Sequence, residues 1–478
     1  MSNEPLDITR PSALRELLAN AGPTVATMTS YTVMQFVDMW MVSRIGPDPI
    51  YVGAQGNGGL AAWVPVSVVM GFLTIVNTYV SQNLGSGRPE RGVPYVWNAL
   101  WISLFASVLL IPYGFALPHI FALMGHTPER VAMQTVYAQP LIFGAFLTMA
   151  TRAVAQFFYG LHRPGVVLVA GLVGNLVNFG LNWVLIYGNL GAPKLGIVGA
   201  AYATVIGTAV ELAIPLVLFL GPMHRQYNTR SAWRLCKTHL GDLLRLGWPG
   251  AAMFGNEMIC WSIFMVALVG QFGEVHSTAG WIAHRYMSLS FMPTVGLAVA
   301  ITAVVGRCMG AGRPDLAEAR ANLGLKIAVV YMTACGVLFV TLRRPLVELF
   351  LPPDLPPQER DLVIELGSKF LIATAAFQFF DGVAMSLTGA LRGAGDTRWP
   401  GLVTILLSWI VIVGGGLYMV RFHPEVSSLG PWIAAAAYIA CLGCAIGWRY
   451  KSGAWKSIRL LESPQSTEKP QQESNEKV

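Results

Sequence analysis

The chain has 478 residues, of which 54% are hydrophobic and only 12% are charged, and its mean hydropathy is +0.53. A soluble domain carries roughly a quarter of charged residues, so the composition excludes that class and indicates a polytopic membrane protein. We attribute the net charge of +7 mostly to loop Lys and Arg residues that anchor the protein at the cytoplasmic face, and expect no binding of nucleic acid.

Continuous apolar runs begin after a polar N-terminal stretch that lacks the basic start and apolar core of a signal peptide. Runs of about 20 residues have the length of a helix that crosses a bilayer. They predict twelve transmembrane helices, at about 22–44, 59–83, 95–117, 137–160, 165–188, 196–220, 246–271, 280–309, 322–341, 366–391, 399–420 and 430–448. The loop arginines favour cytoplasmic placement of both termini.

One short motif occurs twice, each time after a long apolar run. The stretch GSGRPE at 85–90 returns as GAGRPD at 310–315. An internal duplication of six spans explains this spacing, and copies on the same side of the membrane require parallel repeats. We therefore expect an all-α integral membrane protein with two six-helix bundles, in which the motif glycines form sharp turns.

The two halves define the predicted domain organisation. It consists of a cytoplasmic N-terminal segment 1–20, an N-lobe bundle 21–220, a basic cytoplasmic linker 221–245, a C-lobe bundle 246–450 and a polar, disordered tail 451–478.

Carboxylates inside apolar spans are functional candidates, because an ionisable group at a helix centre costs about 2.5 to 3.5 kcal/mol. Four such acids are Asp38, Glu211, Glu257 and Asp381. Asp38 shares a helix face with Gln35 and Tyr31. Glu211 has no evident polar companion, which favours a structural role.

Three asparagines share one face of the fifth predicted helix, at positions 175, 178 and 182. Amides at this spacing either join helices by hydrogen bonds or, together with a carboxylate, supply oxygen ligands to a hard cation. The spacing leaves both interpretations open.

The second half carries Glu257 and Asp381, and Gln378 lies three residues before the second acid. The position that matches Asp381 in the first half is Arg152, so we expect the halves to differ in how they handle charge. Trp261 and Met385 either line a cavity for a lipophilic cation or serve as packing.

Four longer stretches, VGRCMGAGRPDLAEA, NLVNFGLNWVLIYG, LGIVGAAYATVIG and FFDGVAMSLTGALRGAGDTRWP, together resemble the multidrug and toxic compound extrusion (MATE) family over about residues 20–450. The resemblance implies a V-shaped pair of six-helix lobes that exports organic cations in exchange for Na+ or H+. It also implies a monomer in the bacterial plasma membrane, in contact with membrane lipids and without a further cofactor.

The resemblance also implies site residues, and the acids in both lobes resemble the Na+-coupled branch of the family. The implied ion-coupling residues are Asp38, Asn178, Asn182, Thr204, Glu257 and Asp381, of which Asp38, Asn178 and Asn182 are candidate Na+ ligands. The candidate substrate cavity comprises Gln35, Tyr31, Asn175, Trp261, Gln378, Met385 and Arg285.

One position departs from the family pattern, because Arg285 follows His284 where the family often has glutamine. A guanidinium stays protonated and would neutralise Glu257 or Asp381 if it reached them. It could instead extend to the aqueous face.

Two other functions compete with the antiporter as interpretations of the sequence. A flippase for lipids or lipid-linked oligosaccharides would need a basic cavity, for which Arg152, Arg285 and Arg307 are candidates. An enzyme is not expected, because the sequence shows no convergent metal set and no nucleophile with its base.

Overall fold

The computed structural model describes residues 12–46, 50–351 and 356–461, and every regular element in these ranges is helical. We number the long helices α1 to α12. They are α1 Ala13–Val42, α2 Ile50–Gly85, α3 Pro89–Leu123, α4 Pro128–Phe143 with Ala145–Gly160, α5 Pro164–Tyr187, α6 Ile197–Leu220, α7 Lys237–Phe272, α8 Glu274–Gly310, α9 Pro314–Thr341, α10 Pro357–Ala394, α11 Arg398–Phe422 and α12 Leu429–Lys451.

These helices confirm the predicted all-α membrane architecture. Among the described residues, ten helices are long and apolar enough to cross a membrane, and the bent pair that forms α4 makes eleven. Helix α1 is more polar, but its 30 residues extend over about 45 Å and suffice for a twelfth span.

Several of the long helices are irregular. Helix α4 bends by 45° shortly after Pro140, as expected where a proline removes a backbone hydrogen bond. Helices α7 and α11 contain π-helical segments at Ile263–Val269 and Ser408–Gly415. Such segments occur frequently at functional sites.

The buried apolar side chains form separate cores in the two halves of the chain. Phe157 and Phe219 lie in the core of the N-lobe, α1 to α6, whereas Phe264 and Trp432 lie in that of the C-lobe, α7 to α12. Leu17 at the start of α1 packs into the C-lobe core. The two lobes expected from the duplication are therefore present, and the first turns of α1 connect them.

The structure differs from the predicted domain boundaries at the linker and at the tail. Helix α7 begins at Lys237, inside the expected linker 221–245, and the linker is held against α3 by a hydrogen bond of 2.7 Å from Trp97 Nε1 to the Thr229 carbonyl. Residues 451–461 of the expected disordered tail are ordered, because Trp455 is buried with 1% exposure. The remainder of the tail lies outside the described residues.

The two copies of the repeated motif meet each other where the lobes touch. A Cβ at Gly85 would overlap the carbonyl of Arg307, and a Cβ at Gly310 would overlap the carbonyl of Gln82. Gly310 and Arg307 stand 225 residues after Gly85 and Gln82, so the two contacts are equivalent under the internal repeat. We call this surface, around Gly85 and Gly310, the lobe junction.

Replacing Gly310 with alanine should hold the lobes apart at the junction. The new Cβ has to displace the Gln82 backbone, because an overlap with backbone cannot be relieved by a change of rotamer. We expect faster maleimide labelling of a reporter cysteine at Ser81, which is fully buried, in a background without the native cysteines. Gly165→Ala is the control, because a Cβ there meets nothing within 4 Å, and equal labelling of both variants would refute the steric argument.

Polar side chains of α2 cross the junction to backbone carbonyls of the C-lobe. Three donors act in this way: Asn77 Nδ2 to the Val299 carbonyl at 3.3 Å, Thr78 Oγ1 to the Arg392 carbonyl at 2.9 Å, and Gln82 Nε2 to the Gly393 carbonyl at 2.9 Å. The junction therefore consists of close backbone contacts and hydrogen bonds.

A buried group of charges joins the lobes near the junction. Glu16 of α1 accepts from Arg320 Nε of α9 at 3.0 Å and from Arg307 Nη1 of α8 at 3.5 Å. The Glu16 side chain is only 4% exposed. Two arginines of the C-lobe thus share one carboxylate that belongs to α1.

His162, between α4 and α5, adds a polar contact to the same region. Its Nδ1 lies 3.4 Å from Asn20 Nδ2, and its Nε2 lies 3.2 Å from the Ala303 carbonyl. A neutral imidazole with its proton on Nε2 satisfies both partners. Burial, and then the positive charge of Arg307, lower the pKa of His162 to about 4.

We expect acid to weaken this contact. A histidine whose pKa falls from 6.5 to about 4 on folding contributes stability above pH 6.5, and this contribution is lost as the pH falls towards 4. The thermal midpoint of the wild type should therefore drop more steeply over that range than that of His162→Gln. His423→Gln, at an exposed loop histidine, is the control, and parallel curves for wild type and His162→Gln would contradict the assignment.

Candidate functional site

A chain of hydrogen bonds joins three helices of the N-lobe around Asp38. Asn182 Nδ2 donates to Asp38 Oδ1 at 2.6 Å and also lies 2.8 Å from Asn178 Oδ1. Asn178 Nδ2 in turn donates to Thr204 Oγ1 at 3.3 Å. The structure therefore brings together all four residues that were predicted for ion coupling in this lobe.

Glycines allow α5 and α6 to approach closely enough for this arrangement. A Cβ at Gly207 would lie 2.9 Å from Asn178 Cβ and 3.0 Å from the Gly174 carbonyl. Small residues at such positions are typical of closely packed membrane helices. The contact holds Asn178 of α5 against Thr204 of α6.

The oxygen atoms of this cluster are of the kinds that bind a small hard cation. Asn182 is fully buried, and its Oδ1 has no hydrogen-bond partner. Buried oxygens without partners are costly, and hard cations prefer carboxylate, amide and hydroxyl oxygens. Within the described residues no three His, Cys, Asp or Glu side chains gather as a metal site, so a cation here would rely on Asp38 and neutral oxygens.

The N-lobe cluster has one neighbour that sequence reasoning missed. Tyr137 of α4 is buried and lies close enough to Asp38 for the two groups to interact electrostatically. Tyr137 lies on α4, whereas the predicted residues of this cluster lie on α1, α5 and α6. Spacing along one helix therefore could not relate it to them.

The acids of the C-lobe form a second centre. Glu257 of α7 and Asp381 of α10 interact with each other electrostatically, and both act on Tyr438 of α12. The Tyr438 side chain is 2% exposed, and its hydroxyl has no hydrogen-bond partner. Sequence reasoning missed this tyrosine, whose only signal was a phenol inside an apolar span.

The cation that acts on Glu257 is Arg392, in the last turn of α10. Arg285 is exposed, and its Nη2 lies 3.8 Å from the Met39 sulfur of α1. Neutralisation of the C-lobe acids by Arg285, one of the two options left open by the sequence, is therefore not what the structure shows.

A further polar cluster lies beside Glu257. Asn256 Nδ2 donates to Ser408 Oγ at 2.7 Å, and Trp409 Nε1 donates to Asn256 Oδ1 at 2.8 Å. Ser408 and Trp409 begin the π-helical segment of α11. The segment thus ties α11 to the helix that carries Glu257.

The residues predicted for the substrate cavity are dispersed. Gln378 is buried within the C-lobe, where it donates to Ser290 Oγ at 2.8 Å, and Asn175 Nδ2 lies 3.3 Å from the Ser30 carbonyl. Gln35 is exposed, unlike its neighbours on the same predicted helix face.

Two other predicted cavity residues lie in the C-lobe. Trp261 packs edge-on against Phe264 and His284, with ring centroids 5.3 and 6.0 Å apart, and Met385 is half-buried. Tyr31, the remaining N-lobe candidate, donates its hydroxyl to Glu211. Glu211 therefore has a polar partner that the spacing along its own helix did not reveal.

Comparison with known proteins relates both halves of the chain to one family. A family model described as MatE matches residues 23–184 and 254–415, one match in each lobe. The chain is 29% identical over 458 residues to "Probable multidrug resistance protein NorM" of Pseudomonas syringae pv. tomato, with 95% of this chain and 97% of that protein covered. It is 30% identical over 453 residues to "Multidrug resistance protein NorM" of Burkholderia vietnamiensis, with 93% and 94% covered.

The fold also matches a solved structure. The "Crystal structure of MATE in complex with MaL6" superimposes with a TM-score of 0.84 at 20% identity, covering 96% of this chain and 100% of that chain. The chain therefore belongs to the MATE family, and it is a membrane transporter rather than an enzyme.

Proposed function

We propose that the protein is a secondary active antiporter that exports lipophilic organic cations in exchange for Na+ or H+. The observation that carries the proposal is the Asp38 cluster, in which a half-buried carboxylate lies beside an amide oxygen without a partner. The names of the relatives, which are multidrug resistance proteins, support the class of substrate. We place the protein in the bacterial inner membrane as a monomer with both termini in the cytoplasm.

Exchange requires that the ion and the drug favour different arrangements of the lobes. A cation at Asp38 that binds more tightly in one state shifts the protein towards that state and lowers its affinity for the drug. The coupling is reciprocal, so bound drug must weaken binding of the ion by the same factor. The polar lobe junction is the surface that has to separate during this change.

The alternative function, a lipid or lipid-linked-oligosaccharide flippase, has less support from the contacts. A flippase would use the three arginines named above to bind anionic head groups. One of them, Arg307, lies in the ion pair with Glu16. Arg152 and Arg285 remain, and the acids Asp38, Glu257 and Asp381 oppose an anionic ligand.

The test is efflux of a fluorescent lipophilic cation from proteoliposomes under an imposed Na+ gradient or, separately, an imposed pH gradient. Efflux driven by either gradient supports the antiporter and identifies the coupling ion. If neither gradient moves the dye although the protein is folded, the antiporter is refuted and labelled lipids become the next substrates to examine.

A further inference from the structure

A second carboxylate of the N-lobe lies outside the Asp38 cluster. Glu211 of α6 accepts a hydrogen bond from the Tyr31 hydroxyl of α1. Tyr31 precedes Asp38 by seven residues, and Glu211 follows Thr204 by seven. The pair therefore lies about 10 Å, or two helical turns, from the Asp38 cluster and on the same two helices.

Helix α5 presents bare backbone to this pair. A Cβ at Gly174 would lie 2.8 Å from Glu211 Cβ, and one at Gly171 would lie 3.5 Å from the Tyr31 hydroxyl. Around Asp38 the same helix supplies two asparagine amides, whereas around Glu211 it supplies glycines. Gly171 and Gly174 thus offer no side-chain oxygen that could help the Glu211 carboxylate to coordinate a metal cation.

Helix α4 supplies the other titratable and charged groups that face Glu211. These are Arg152 and Tyr159, both of which act on the carboxylate electrostatically. Among the described residues, the Arg152 guanidinium lies beyond ion-pair distance of Glu211. Glu211 is therefore held by one phenol and influenced by a cation at longer range, without being fixed in a salt bridge.

This arrangement suits both protonation states of a carboxyl group. The ionised form accepts the Tyr31 hydrogen bond and is attracted by Arg152, and the neutral form avoids placing a charge in apolar surroundings. Between Glu211 and the Asp38 cluster on the same helix, Thr208 donates to the Thr204 carbonyl at 2.8 Å.

We propose that Glu211, with Tyr31 as its hydrogen-bond partner, is a second exchange site of the N-lobe and that it carries a proton. The neutral acid releases one H+ to water as one monovalent organic cation binds, so the charge of the lobe is unchanged. Tyr31 keeps its own proton and donates a hydrogen bond to the Glu211 carboxyl group in both of its protonation states. The site is distinct from Asp38, whose neutral oxygen neighbours suit Na+ as well, and this inference rests on the proposed antiport.

The experiment counts the protons released per bound cation. Purified protein is titrated with tetraphenylphosphonium by calorimetry in two buffers of different ionisation enthalpy, at constant pH and Na+ concentration. Glu211→Gln should release about one proton fewer than the wild type for each cation bound, since one titratable group has been removed. Asp38→Asn in the same titration measures any contribution of the other acid.

Two further variants separate proton exchange from a structural role. Tyr31→Phe keeps the carboxylate, so the proton should still be released but with a displaced pH midpoint. Tyr95→Phe is the matched control, because it also removes a phenol-to-carboxylate hydrogen bond, of 3.0 Å to Asp242 Oδ2, elsewhere in the protein. It should leave the proton count and the midpoint unchanged.

An unchanged proton count in Glu211→Gln that still binds the cation would overturn this inference. If that variant does not fold, an unchanged midpoint in Tyr31→Phe has the same meaning. Either result leaves the antiporter intact as long as the wild type exports the dye under a gradient. Failure of the wild type to export under any gradient refutes the antiporter itself.

Discussion

Asp38→Asn should abolish ion-driven export while leaving the protein folded. An asparagine at this position retains an Oδ1 that accepts the hydrogen bond from Asn182, so the contact between α1 and α5 persists. Only the negative charge is removed. A unit charge at about 4 Å contributes about 4 kcal/mol at an effective dielectric constant of 20, so we expect the affinity for the coupling cation to fall by more than about a hundredfold.

Efflux of a fluorescent lipophilic cation from proteoliposomes measures this loss, with the thermal midpoint as the test of folding. Asp361→Asn is the matched control, because it removes an exposed carboxylate near the start of α10. It should transport like the wild type. Export by Asp38→Asn at the wild-type rate would show that Asp38 does not couple transport to the ion.

Glu16→Gln should open the lobe junction and destabilise the protein. The substitution removes the buried carboxylate with which Arg307 and Arg320 both pair. Loss of one partner of a buried ion pair costs about 3 to 5 kcal/mol, much of it from the charge left behind. Since the carboxylate belongs to α1 and both arginines to the C-lobe, separation of the lobes is one way to return the arginines to water.

The expected results are a lower thermal midpoint and faster labelling of a cysteine at Ser81. Glu365→Gln is the control, because it breaks an exposed pair with Lys369 on one helix and should have little effect. Replacing Glu16, Arg307 and Arg320 together with leucine or methionine should restore slow labelling, because all three charges of this contact are removed together. Fast labelling of that triple variant would contradict the electrostatic explanation.

The sequence predicted the membrane spans well because apolar length is a local property. It predicted the start of α1 less well, since the apolar run begins near residue 22 whereas the helix begins at Ala13. Glu16 lies in the predicted cytoplasmic segment 1–20, where a side chain is expected to be exposed to solvent. Its buried partner Arg320 is 304 residues away, and no pattern of local spacing reveals such a contact.

In the candidate sites, too, neighbours along one helix could be predicted, whereas contacts between helices could not. Asn178 and Asn182 lie together because helical spacing fixes their positions on one face of α5. Tyr31 and Gln35 were assigned to one face in the same way, but Tyr31 bonds to Glu211 whereas Gln35 is exposed. Spacing predicts which side chains are neighbours on one helix, and it does not predict which other helix they meet.

The glycines of the repeated motif serve two structural requirements, a sharp turn and a close contact between the lobes. Gly87 and Gly312 have φ of +76° and +70°, so the sharp turn accounts for these two glycines. Gly85 and Gly310 are the last residues of their helices and are required by the contact between the lobes. The turn could be expected from one copy of the motif alone, but the contact could not.

The lobe junction has a consequence for reversibility. Its donors on α2 bind backbone carbonyls, and its glycines present flat backbone on both sides. When such surfaces part, water takes over the hydrogen bonds, and the net cost is about 0.5 to 1.5 kcal/mol for each one. The closed junction therefore rests on several hydrogen bonds of modest net strength, and none of them alone prevents the lobes from separating.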